Sequence, residues 1–504
     1  MLSFALGLLL ATQGPGGPSL LGSDALEEAV VEHRLENGWT FLILPRSGPP
    51  TTSFETLVDV GLADEPQGLG GIVHMLEHMA FKGSDRIGSL DWEAEEAALA
   101  EVDRLHEALQ RAKTDGNTEE LGALEVKWAK AVESANALVQ REEFSRLFEH
   151  AGGAESLNAV TSADDCRFVV SLPSNQIELW CWLESERFLR PVLREFYLER
   201  DVVLEERNMR VDSYPIGTLL EELAASAFRV HPYGRPVIGS RDAIMRYDHM
   251  SAKAFFDAKW SPSHCTTAIV GDVNPETLIP QLKRYFGRIP ARPPGEILST
   301  APEPEQRGER RTLIEFPAQP LLAIGWRVPP AIDPDAPEIE VAMRLLGASR
   351  SSRLERRLIH DEPLCTRVFI DNGWPGDRHS NLAFVLAVPI EGVELKDIEA
   401  AILGEIRDLT ENGPGPDELE GVVRAARIEH MRSMRHNSTL AEGLMSAQSS
   451  LGDWHKHFHR ITPLEGVTPA DVQRVLRKHF VGSNQTVVEL GAVEETTETG
   501  EDEE

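Results

Sequence analysis

The stretch that most constrains this chain is Gly70-Gly71-Ile72-Val73-His74-Met75-Leu76-Glu77-His78-Met79-Ala80-Phe81-Lys82-Gly83. It is largely apolar, holds no proline, and its opening glycines predict a turn that starts a helix. At about 100° per residue, His74 and His78 fall about 40° apart on one face, with Glu77 about 60° to the other side of His74. Two imidazoles at i and i+4 form a two-point clamp for a divalent metal, and zinc favours nitrogen ligands of this kind. A carboxylate in the same sector can take a proton from a water that such a metal activates. This H-x-x-E-H order is the inverse of the commoner H-E-x-x-H helix. The competing reading is a helix with two histidines and a glutamate on a polar face. Met75, Leu76, Met79 and Phe81 argue against it, because a mostly buried helix must supply partners for its ionisable groups. A metal is such a partner, and it then requires a third ligand.

The 504 residues exceed one ordinary core and predict about two to four domains. A net charge of −32 argues against a nucleic-acid partner and suits a soluble protein. Part of that charge forms an acidic tail at residues 492–504, expected to be disordered. Cys166, Cys181, Cys265 and Cys365 show no C-x-x-C spacing, which predicts buried free thiols. The apolar run from Met1 to Thr12, followed by Gly/Pro-rich sequence, has signal-peptide length but no basic start. Residues 1–25 are therefore read as a secretory signal or a hydrophobic arm, with an exported, periplasmic location favoured over a cytoplasmic one. No stretch reaches the roughly 18 apolar residues of a transmembrane span.

Along the chain, residues 30–64 predict strands with a turn at Glu36-Asn37-Gly38. From about 91 to 139, apolar residues at helical spacing on either side of Thr114-Asp115-Gly116-Asn117 predict an antiparallel helical hairpin with a structural or partner-contact role. Residues 156–173 read as a β-hairpin, and helices follow near 177–187 and 198–211. Five prolines between 288 and 309 mark a linker. Thr468 to Gly491 repeats the helix-strand-glycine order of Ser251 to Asp272, which implies duplicated α+β domains.

The helix around Glu199-Arg200-Asp201-Val202-Val203-Leu204-Glu205-Glu206 offers the missing acid. Glu199 and Glu206, seven apart, share a face to within about 20°, whereas Glu205 points about 100° away from Glu206. Two carboxylates on one face suit a metal ligand with a supporting partner. Alone, this would read as a solvated acidic helix; beside the histidine helix it does not.

These residues, together with Asp64-Glu65-Pro66, Leu157-Asn158-Ala159-x-Thr161 and His231-Pro232-Tyr233-Gly234-Arg235-Pro236, resemble the insulinase and mitochondrial-processing-peptidase family of zinc metallopeptidases, over most of residues 30–490. The resemblance implies one zinc per chain bound by His74, His78 and Glu206, with Glu77 as general base and Glu199 steadying the site. It implies that the Asn158 strand is an edge strand that pairs with an extended substrate. Asn158 and Ala159 would then lie at the substrate backbone and Val160 near a side-chain pocket. The expected fold class is α+β: two homologous halves of a metallopeptidase clamshell, each with a mixed or antiparallel sheet packed by helices, plus the inserted hairpin. The zinc-binding half would span 28–287, the linker 288–309 and a non-metal half 310–491.

Two departures from the family stand out. The spacing from His78 to Glu206 is long, and the hairpin at 91–139 accounts for it. Active members commonly carry an Arg and a Tyr four apart in the second half, where this chain has Glu362 and Thr366. Neither can stabilise an oxyanion. A partner chain, in a homodimer or a heterodimer with a related chain, would supply that pair. The leading expectation is a zinc endopeptidase acting on peptides or unfolded segments within a closed chamber. The alternative is a non-catalytic peptide-binding or assembly subunit. His455 and His459 form a further i, i+4 pair but have no acid ligand near in sequence.

Overall fold

Strand β2 (Thr40–Pro45) is buried at each of its central positions. Side chains alternate between the two faces of a strand, so this strand needs apolar cover on both sides. It belongs to a six-stranded sheet with β1 (Val31–Arg34), β3 (Thr51–Val58), β4 (Asn158–Thr161), β5 (Cys166–Pro173) and β6 (Cys265–Gly271), in the order β1-β2-β6-β3-β5-β4. A second sheet contains β7 (Arg310–Glu315), β8 (Leu321–Val328), β9 (Cys365–Trp374), β10 (Asn381–Pro389) and β11 (Gln485–Gly491), in the order β7-β11-β8-β10-β9. The computed structural model describes residues 23–292 and 301–491. The N-terminal run up to residue 22, residues 293–300 of the linker and the acidic tail lie outside the described residues.

With β1 set aside, the two sheets have one topology. In each, the five strands lie in the order first, fifth, second, fourth, third. First and fifth are parallel, and every other neighbouring pair is antiparallel. The α+β class with two related halves is therefore what the chain adopts. The repeat that suggested it falls on equivalent elements: the helices His249–Lys259 and Pro469–His479 each feed the fifth strand of their sheet.

The inserted hairpin consists of helices Trp92–Thr114 and Thr118–Asn136. Asp91 and Asn117 cap them by accepting from the backbone N–H groups of Ala94 and Glu120. Leu105, Leu109, Ala112 and Leu124 form a small core of their own. All four cysteines are buried and free.

The two halves cover each other. Phe41 and Ile43 of β2 face the main core of the first half, packed with Trp39, Phe188 and Phe286. Leu42 and Leu44 face the other way, against Leu440, Ala441, Leu444 and Met445 of helix Asn437–Leu451, which belongs to the second half. The second sheet is covered in return: Leu321 and Ala323 of β8 pack against Leu219, Leu223 and Ala227 of helix Pro215–Ala227 from the first half. Asp164, in the β4–β5 turn, accepts from the Tyr233 hydroxyl and from the backbone N–H groups of Asp377 (2.6 Å) and Arg378 (3.1 Å). Leu444 is fully buried at the first of these surfaces. Leu444→Ala should therefore lower the unfolding free energy by about 2–5 kcal/mol in chemical denaturation, although Leu42 and Leu44, which it covers, lie about 400 residues before it in the chain. An unchanged midpoint would show that this helix does not hold the halves together.

Candidate metal centre and active site

The histidine helix is shorter than its pattern suggests, running Ile72–Met79. Gly71 precedes it at φ 90°, and a Cβ there would meet the Ile238 carbonyl oxygen at 2.5 Å and Gly239 Cα at 2.6 Å. Only glycine fits such a turn. The free N–H groups of the first turn are met by Glu65: Oε2 accepts from Gly71 at 2.8 Å and Oε1 from Val73 at 2.9 Å. Burial pushes the Glu65 carboxyl up to about 8, opposed by these two donors and by Arg235. The helix is thus anchored at the end that fixes where its histidines point.

Across from it lies helix Phe196–Arg207. His74, His78 and Glu206 each offer one ligand atom, and the three lie within 4.8 Å of one another. Glu206 Oε2 is 3.7 Å from His74 Nε2 and 3.2 Å from His78 Nε2. Tetrahedral zinc with ligands at about 2.0–2.2 Å holds them about 3.3 Å apart, so the donor set and its spacing fit that ion. Among the described residues this is the one such cluster of His, Cys, Asp or Glu side chains. His455 and His459 pair instead with Asp453 and Glu27.

The surrounding groups orient these donors. His78 Nδ1 lies 2.9 Å from Glu199 Oε1, which leaves Nε2 facing Glu206. Glu199 Oε2 is 2.6 Å from Lys82 Nζ, and Glu206 Oε1 is 2.9 Å from an Arg210 guanidinium nitrogen. His74 Nδ1 is buried without a protein partner. Burial, then the neighbouring His78, lowers His74 to about 4. Burial also works against the charged form of His78, but the bonds to Glu199 and Glu206 outweigh it and raise it to about 9. With ring centroids 4.8 Å apart, the two imidazoles cannot readily both carry charge.

Glu77 is half-buried, and burial raises its carboxyl above the ordinary range. Its Oε2 accepts from the Thr161 hydroxyl at 2.5 Å. Thr161 closes β4, an edge strand hydrogen-bonded only to β5. Glu77, His78, Lys82, Asn158, Ala159 and Glu199 line a cavity of about 570 Å³. Val160 points outward, 55% exposed. Glu362 pairs with Arg357, and the Thr366 hydroxyl donates to the Val388 carbonyl at 3.2 Å.

Sequence reasoning assigned no role to Thr161, Lys82, Glu65 or Arg210. Arg210 stands at i+4 from Glu206, a spacing that flags an ion pair. The other three lie inside the quoted motifs, but their partners are set by tertiary structure.

The family model described as the peptidase M16 inactive domain matches residues 248–426. That segment begins downstream of Glu206 and contains none of His74, Glu77, His78 or Glu206. The zinc protease PqqE of Helicobacter pylori is 25% identical over 468 residues, covering 90% of this chain and 91% of that protein. The match to that family model and the likeness to a zinc protease along most of the chain support a resemblance to the peptidase M16 family. The relatives include a probable mitochondrial-processing peptidase subunit beta of Arabidopsis thaliana, 21% identical over 92% of this chain and 78% of its own length. Among solved structures, a protease from Helicobacter pylori superposes with a TM-score of 0.77 at 22% identity, over 92% of this chain and 99% of that one. The periplasmic protease PqqL of Escherichia coli superposes with a TM-score of 0.68 at 16% identity, over 92% of this chain and 48% of that one.

Replacing Glu65 by Gln leaves one acceptor where the start of the histidine helix uses two. Glu65→Gln should lower the unfolding free energy by about 1–3 kcal/mol, read from a urea melt. A melt identical to wild type would mean that the helix start is held by other contacts.

Proposed function

We propose that this chain is a zinc-dependent endopeptidase, in which His74, His78 and Glu206 hold the metal and Glu77 is the general base. The observation that carries the reading is the meeting of these four side chains beside a cavity whose wall is an edge strand. Zinc, when bound there, supplies Lewis acidity that polarises a peptide carbonyl and lowers the pKa of a water molecule. Glu77, held by Thr161, accepts the proton of the attacking water and delivers it to the departing amine. Glu199 keeps His78 in the tautomer whose Nε2 is free to ligate. The open edge of β4 pairs with an extended peptide through main-chain hydrogen bonds, so unfolded segments are favoured over folded ones. Asn158 and Ala159, on the cavity wall, lie along that peptide, with Val160 on the outer side.

Glu362 is a carboxylate, and the Thr366 hydroxyl already donates to the Val388 carbonyl, so neither stands where an Arg or Tyr donor to an oxyanion is needed. The proposal therefore includes a second subunit, another copy or a related chain, that supplies such donors. The names of the zinc-protease relatives and the periplasmic location of PqqL support a zinc enzyme and an exported one. Among the described residues no helix is long and apolar enough to cross a membrane. A second reading, a non-catalytic peptide-holding subunit, is favoured by that same lack of donors.

Cleavage of an unstructured quenched peptide, with and without chelator and with zinc determined in parallel, separates the two. Glu77→Gln should keep one zinc per chain and abolish turnover, and Glu206→Gln should lose zinc. Thr161→Val should keep zinc and lower kcat by about 10–100-fold. Wild-type turnover in Glu77→Gln would overturn the general-base assignment. Full zinc occupancy without cleavage, in the presence of every related chain, would favour the peptide-holding reading.

A further inference from the structure

The inserted hairpin is the one large element that the peptidase reading leaves without a task, and both of its ends are fastened to the same place. Near its start, Glu95 is fully buried and lies against Arg194, itself 1% exposed: Oε1 is 2.7 Å from Nε and Oε2 is 3.3 Å from a terminal nitrogen. The other guanidinium hydrogens go to the carbonyl oxygens of Lys82 (2.5 Å), Ile87 (2.7 Å) and Ser84 (2.8 Å). An arginine has five N–H donors, and here all five have acceptors. Just beyond the hairpin, Arg141 Nε is 2.9 Å from Glu195 Oε1, and Oε2 of that carboxylate is 3.4 Å from Lys82 Nζ.

Arg194 and Glu195 are consecutive and directly precede the helix that carries Glu199 and Glu206. A second observation marks the same place. Glu142 (φ 56°) and Glu195 (φ 55°) are the only non-glycine residues with left-handed backbone among the described residues, and the Arg141–Glu195 pair joins their segments. Such conformations persist where the surroundings hold them, and they gather at functional sites. From Arg194 the contacts continue to the metal centre. The Lys82 carbonyl is held by Arg194, Lys82 Nζ lies 2.6 Å from Glu199, and Glu199 lies 2.9 Å from His78 Nδ1.

We propose that the hairpin positions the metal centre, with Glu95 as a positioning residue that acts through Arg194, Lys82 and Glu199 on the ring of His78. The inference rests on the reading of His74, His78 and Glu206 as zinc ligands. A hairpin that served only as a contact surface could be held by its own apolar core and by packing. Glu95 instead supplies the carboxylate that neutralises a buried guanidinium, and without it the carbonyls that Arg194 organises at residues 82–87 lose a fixed partner.

The test compares the full-length protein with Glu95→Gln and with Leu109→Ala, a control in the hairpin's own core. Zinc affinity is read by chelator competition and stability by thermal melting. Glu95→Gln should weaken zinc binding about tenfold or more, while Leu109→Ala should lower the melting temperature and bind zinc as wild type does. Wild-type affinity in Glu95→Gln, or weakening in both variants in proportion to lost stability, overturns the positioning role. If Glu95→Gln does not fold, Arg141→Ala at the exposed end carries the comparison: about threefold weaker zinc is expected, and unchanged affinity overturns the proposal. A wild-type protein that binds no zinc overturns the ligand assignment itself, and with it this inference.

Discussion

Two imidazoles and three carboxylates share a partly buried volume between the histidine helix and helix Phe196–Arg207. Removing such groups from water is costly unless each finds a compensating charge or hydrogen bond. The surroundings provide that compensation for four of the five, Glu199 for His78, Lys82 for Glu199, Arg210 for Glu206 and Thr161 for Glu77, and leave His74 Nδ1 without a protein partner. The geometry that satisfies the groups also aims ring nitrogens and a carboxylate oxygen at one point. The rest of the architecture can be understood by how it keeps these two helices apposed. Glu65 and Gly71 set the start of one, and Arg194 and Glu195 set the start of the other.

Reciprocal cover gives the halves a bearing on this site. Each sheet buries side chains on both faces, and one face of each is closed by a helix from the opposite half. Asp164 adds a polar link. It takes the Tyr233 hydroxyl and two backbone N–H groups from the second half's 377–378 segment, three residues from the threonine that holds Glu77. The His-Pro-Tyr-Gly loop thereby gains a physical task, since His231 Nδ1 accepts from the Tyr233 N–H at 3.2 Å and braces the tyrosine in place. A shift of the second half would be passed through the β4–β5 turn to Thr161 and Glu77.

What could be read from the sequence is what near-neighbour spacing encodes. The His74–Glu77–His78 sector, the Glu199–Glu206 face and the hairpin are periodic features; periodicity groups each set on its own helix, and the family resemblance pointed to the meeting of the two helices that the structure contains. The repeat at 251–272 and 468–491 was legible because helix, strand and glycine recur in register. Less legible was the extent of the histidine helix, whose pattern continues to Gly83 while the α-helix ends at Met79 and tighter turns follow to Lys82. Glycine at φ 84° and the carbonyl acceptors of Arg194 turn the chain there. Thr161, Lys82 and Glu95 were beyond sequence reading for a shared reason: their partners lie from 84 to 117 residues away. No local pattern states which face covers which sheet, either. An apolar face announces that it needs cover, not where the cover comes from.

The duplication shows that the scaffold does not impose the chemistry. In the first half the histidine helix follows the sheet's second strand, β3; in the second half the helix Ala336–Gly347 follows β8. That helix buries Ile339, Val341, Ala342, Met343, Leu345 and Leu346 and holds no histidine. Two positions with one topology thus differ in what they bury, since the histidine helix adds His74 to its apolar residues. The buried face of helix Ala336–Gly347 is apolar throughout, and its charged residues pair outside that face. The histidine helix needs a capping carboxylate, a left-handed glycine and partners on a second helix to bury its polar groups. A chain under selection only for folding would be expected to settle on the apolar solution in both places. The costlier arrangement in one half is what the proposed metal site requires of it.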